Sequence, residues 1–90
     1  MTNKDKFLQW RGERDEAVAS LDIVKFKAFY KKWKKLGFYN RELPNDNVVE
    51  LAVHKMALEI TTLPQEIKYK ALVWLIEHNS KPIDWESDNQ

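Results

Sequence analysis

Taken at about 100° per residue, Ile23, Phe26, Phe29, Tyr30, Trp33 and Leu36 fall on one continuous arc, and the lysines at 25, 27, 31, 32, 34 and 35 fall on the remainder. This pattern predicts a helix over residues 22–36 with one aromatic face turned to a core and one cationic face turned to water. Both ends carry signals. Asp22 can accept from the free amides of the first turn, the closing lysines suit the negative end of the helix dipole, and Gly37 can take the left-handed conformation that stops a helix. The rest of the fold is expected to assemble on this element.

Residues 4–21 repeat the theme more weakly, with Phe7, Trp10, Ala17, Val18 and Leu21 inside about 100° of helical arc. Gly12 costs about 1 kcal/mol relative to alanine inside a helix and marks the place where this one would break. Arg14 points into the apolar arc, four residues from Trp10. Its guanidinium can lie on the indole, but the expectation is a stem packed on the core with the charge reaching solvent. The longest connection covers residues 38–46, which Pro44 keeps out of helical conformation.

A third helix is predicted over residues 46–61, capped by Asn45 or Asp46, with Val49, Ala52, Val53, Met56, Ala57 and Ile60 in a stripe about 140° wide. Leu51 and Leu58 lie on its opposite side near His54, so they require a second neighbour or a partner. Thr62-Leu63-Pro64-Gln65 matches a capping box and predicts a fourth helix over residues 63–78. Apolar side chains from Ile67 to Ile76 cover more than half of its circumference. It is therefore expected at the centre of the bundle, with Trp74 sharing one interior with Trp33.

The fold class that follows is all-α: a compact four-helix domain over residues 1–83, then a short acidic tail, 84–90, expected to fray. Ninety residues suffice for one domain, and at this size folding buries only about 60% of the surface the unfolded chain exposes. Four Trp, four Phe and three Tyr compensate by removing much apolar area per ordered residue. No apolar run approaches the roughly 20 residues of a membrane span, and Met-Thr-Asn-Lys-Asp-Lys does not resemble an export signal. With no cysteine for disulfides or thiolate chemistry, a cytoplasmic location is expected.

The net charge of +1 conceals an asymmetry. Residues 22–36 hold six lysines against one aspartate, whereas residues 79–90 hold one lysine against three acids. Catalytic signals are lacking, since the only glycines are 12 and 37 and neither histidine is spaced to a nucleophile. No enzyme, cofactor or metal site is expected. Asp46, Glu50 and His54 do recur on one ridge, but a solvated Glu50–His54 pair is the simpler expectation.

Lys27, Lys31, Lys34 and Lys35 form a stripe, and Tyr39 and Arg41 follow just beyond the glycine stop, where bases could stack in a cationic groove. Against a nucleic-acid role, the helix contains no arginine for bidentate base contacts, and the following gap of about eight residues is too long for a helix-turn-helix. The leading expectation is a non-enzymatic interaction or accessory module. It would contact another protein or a second copy of itself through Leu51, Leu58 and Trp85, with weak, sequence-nonspecific nucleic-acid binding as the alternative.

Overall fold

Three of the helices begin on a side chain that satisfies their free amides. The Thr2 hydroxyl accepts from the Asp5 amide at 3.1 Å, an Asp22 carboxylate oxygen from Val24 at 2.9 Å, and the Asn45 carbonyl oxygen from Val48 at 3.1 Å. The computed structural model describes residues 2–78 and shows an all-α fold: α1 (Asn3–Ala19), α2 (Ile23–Lys35), α3 (Asp46–Glu59) and α4 (Gln65–His78). The capping box forms at Thr2 and Asp5, where each side chain accepts from the other residue's amide. At Thr62 it does not start the helix. The first bonds of α4 close instead on the Pro64 carbonyl, a position where a missing N–H costs nothing.

Two junctions set the path of the chain. Between α1 and α2, Leu21 adopts φ +53°, a left-handed conformation that costs roughly 1–2 kcal/mol without glycine. Its side chain packs on the core, and Ser20 ties the turn by donating to the Ala17 carbonyl and accepting from the Asp22 amide. After α2, Gly37 at φ +91° donates to the Lys34 carbonyl while Phe38 donates to that of Trp33. The Phe38 ring then meets Trp33 edge-on at 4.7 Å, completing a Schellman stop with its hydrophobic contact.

α1 runs unbroken through Gly12. The Arg14 guanidinium carbon sits 5.0 Å from the Trp10 ring centre, and the same group bonds Asp15 at 2.9 Å. The charge thus rests on the indole rather than merely reaching water, because Asp15 holds it there.

Neither the second helix nor the fourth is the centre of the packing. α3 touches α1, α2 and α4, and its buried residues Val49, Leu51, Ala52, Val53, His54 and Ala57 extend most of the way round its axis. α4 lies outside, packed chiefly on α3, with Ala71 as its one buried residue among those described. Phe26, Phe29, Tyr30 and Trp33 of α2 join Val18, Val49 and Val53 in the main core, while Leu36 at the helix end is exposed. Trp33 is 1% exposed. Trp74 is only half-buried and stacks between His54 at 4.4 Å and His78 at 4.0 Å, so the two tryptophans do not share one interior. No helix among the described residues is long and apolar enough to cross a membrane.

Candidate functional site

The lysines that the sequence singles out converge. Lys27, Lys31, Lys34 and Lys35 project from the outer side of α2 into one groove of about 670 Å³, closed on the far side by Glu42, Leu43 and Pro44 and floored in part by Tyr30. The connection after the Schellman stop creates this far wall by folding back along α2. Lys27 bonds Asp46, the first residue of α3, at 3.0 Å, and Lys34 bonds Glu42. Lys31 and Lys35 form no ion pair among the described residues, so the groove keeps two positive charges over an apolar strip.

Tyr39 does not join them. Its ring stacks on Tyr30 at 4.1 Å, and its hydroxyl accepts from the Trp10 indole N–H at 3.0 Å, which makes it a core tie between α1 and α2. Tyr39 is half-buried, with one ring face taken by Tyr30. Arg41 is exposed, and its backbone carbonyl accepts from the Tyr30 hydroxyl at 2.9 Å. Sequence pattern could not foresee this, because a tyrosine beyond a helix stop reads the same whether it packs inward or outward.

On the opposite side of α2, Glu13 accepts from the Trp33 indole N–H at 2.9 Å, from Lys32 at 2.9 Å and from Gln9 at 2.9 Å. Burial pushes this carboxyl up, but the hydrogen bonds from Gln9, Lys32 and Trp33 and the charge of Lys32 together outweigh it and hold it below its ordinary value. The group is an anchor for the core tryptophan, not a free acid. A smaller cleft of about 370 Å³ between α1 and the α3–α4 turn is lined by Arg11, Arg14, Asp15, Met56 and Glu59, and of its two arginines Arg14 is already held by Asp15 and Trp10.

The third region is α3 against α4. Leu51 is buried and Leu58 half-buried within this chain, on the side of α3 where His54 meets Trp74 of α4. Leu51 is therefore not available as a partner contact. His54 is also buried: its Nδ1 lies 2.7 Å from the Glu50 backbone carbonyl, an acceptor only, so Nδ1 carries the proton and donates. The solvated Glu50–His54 side-chain pair is replaced by this backbone bond. Asp46 is engaged with Lys27, and no group of three or more His, Cys, Asp or Glu among the described residues is placed to hold a metal ion. Trp85 lies outside the described residues.

What sequence reasoning missed is the outer face of α4. Tyr69, Leu72 and Ile76, spaced i, i+3 and i+7, are 68%, 44% and 68% exposed. The signal existed in the width of the apolar arc of this helix, which was read as burial on all sides. No protein-family model, curated protein or solved structure matches the chain.

Proposed function

We propose that this chain is a non-enzymatic interaction module of the cytoplasm, whose docking face is the outer side of α4. The observation that supports it is the stripe of Tyr69, Leu72 and Ile76, three large side chains in water on a helix packed chiefly on α3. Their spacing is that of the a and d positions by which one helix meets another, so the complementary surface is an apolar helical face. A partner protein or a second copy of the chain supplies it. Full burial of a large apolar side chain is worth about 1.5–3 kcal/mol, and these three, 68%, 44% and 68% exposed, gain the corresponding fraction of it when covered.

A photo-crosslinking residue at position 72 tests this in the source-cell lysate, with sedimentation of the purified chain run in parallel. The expected result is a discrete protein adduct or a concentration-dependent dimer, unchanged by nuclease and lost in Tyr69→Glu with Ile76→Glu. A folded monomer that yields no adduct would refute the reading.

Nucleic acid remains the second reading because four lysines line one groove. It ranks lower, since Lys27 and Lys34 are engaged by Asp46 and Glu42 and Tyr39 is packed inward. Four phosphate contacts would give a log-log salt slope near about −3 for single strands, and no measurable binding by the intact chain is the expected result.

A further inference from the structure

We propose that the lysine groove binds an extended acidic peptide of a partner protein, with carboxylates at alternate positions on Lys31 and Lys35 and the apolar side chains between them on Leu43 and Pro44. The site lies wholly on α2 and the connection that follows it. It shares no residue with the outer face of α4.

Four ammonium groups line the groove, and Asp46 and Glu42 already engage Lys27 and Lys34. Lys31 and Lys35 are exposed and form no ion pair among the described residues. Four residues apart on α2, they are separated by about 6 Å along the helix axis. A lysine ammonium is a compact point charge, so each takes one carboxylate without demanding a fixed angle of approach. The ligand that fits carries two anionic groups at about this spacing. An extended peptide does so, because it rises about 3.3 Å per residue and sets alternate side chains on one edge about 6.6 Å apart.

The opposite wall selects the other edge of that peptide. Residues between the acids point away from α2 and meet Leu43 and Pro44, which are half-buried and present apolar surface. This wall is held in place before any ligand arrives. Leu43 packs on the core, and the Tyr30 hydroxyl at the floor donates to the Arg41 carbonyl at 2.9 Å, so little of the ordering cost of binding falls on the protein. From Lys27 to Lys35 the groove follows about 12 Å of helix, the length of about four extended residues.

The distribution of sign favours a peptide over a nucleic acid. Glu42 stands on the far wall with its side chain 86% exposed, so a charge brought to that side meets a carboxylate. A single strand carries a phosphate at every nucleotide and polar base edges, for which the side chains of Leu43 and Pro44 hold neither donor nor acceptor. An alternating peptide keeps all of its charge on the lysine side.

The test is a fluorescein-labelled peptide in which aspartate and leucine alternate over about five residues, titrated into the full chain with amide spectra recorded alongside. Shifts should be largest at Lys31, Lys35 and Leu43, and binding should weaken at least about fivefold between 0.05 and 0.5 M salt as the Debye length shrinks to a few ångström. A peptide of the same composition with its aspartates in one block, and one with serine in place of leucine, should each bind at least about tenfold more weakly. Lys31→Glu with Lys35→Glu should abolish binding of the aspartate peptide and create affinity for its lysine counterpart, a gain that a misfolded variant could not show. Four results overturn the proposal. They are equal binding of the alternating, block and serine peptides; no shift at about 1 mM alternating peptide; shifts centred on Tyr69, Leu72 and Ile76; and tighter binding of a short oligothymidylate at the same lysines.

Discussion

Trp33 and Trp74 sit equally well on the apolar arcs of their helices, yet one is sealed in the core and the other lies between two imidazoles at the edge. The half of the molecule around Trp33 is closed from three directions. α1 supplies Glu13 to the indole N–H, α3 supplies Val49 and Val53, and the connection after α2 supplies Phe38. Among the described residues Trp74 is walled by His54 of α3 and by His78 of its own helix, and Tyr69, Leu72 and Ile76 on the outer side of α4 face water. Apolar width on a helix therefore does not measure how many neighbours it has. In one half it is satisfied within the chain; in the other it is left over, and that remainder is the surface on which the functional proposal rests.

Substitutions that separate the two halves test the contrast, beginning with the tryptophans. Trp33→Ala should cost about 3 to 5 kcal/mol, a large share of the 5 to 15 that holds a small domain together, and urea unfolding should show the loss in every helix. Trp74→Ala should cost less, about 1 to 3 kcal/mol, with faster amide exchange confined to α4 and the facing side of α3. Equal losses, or a global response to both, would break the comparison.

A smaller effect sharpens it from the acid side. Glu13 has a folded-state pKa below its unfolded value, so its stabilisation is present above the ordinary carboxylate range and is lost as the pH falls through the folded value. Its side chain is one-third exposed, so solvent screening holds the contribution to roughly 1 kcal/mol. Glu13→Gln should flatten that part of the acid limb in a stability-versus-pH series while leaving α4 exchange unchanged. Smallest of all, Ile76→Glu in the isolated chain should shift the urea midpoint by no more than about 0.5 kcal/mol equivalent, because its side chain is already in water.

Much of this architecture can be read directly from the residues. The lysine–aromatic alternation of α2, its Asp22 start and its Gly37 stop are local signals whose meaning does not depend on distant parts of the chain, and all three hold. The four-helix, all-α class holds for the same reason. The central helix was misplaced because periodicity shows which side chains are apolar, not what covers them. Leu51 on the polar side of α3 was the real clue that this helix is enclosed, whereas α4 drew notice by its width. Lys27, Lys31, Lys34 and Lys35 meet in one groove as their spacing implies, while the inward packing of Tyr39 depends on Trp10, twenty-nine residues away, and has no local mark.

The connection between α2 and α3 carries one more consequence. It is the longest irregular stretch among the described residues, yet Phe38 and Tyr39 are packed, the Arg41 carbonyl holds the Tyr30 hydroxyl, and Glu42 holds Lys34. A segment fastened at so many points resists being opened, whatever its length. Trypsin should cleave after Arg41 only as fast as the whole domain unfolds, and a guest peptide inserted after Asn40 should prevent folding. The same guest between Thr61 and Thr62, in the short exposed turn, should be accepted, which makes the briefer of the two connections the permissive site for tags and fusions.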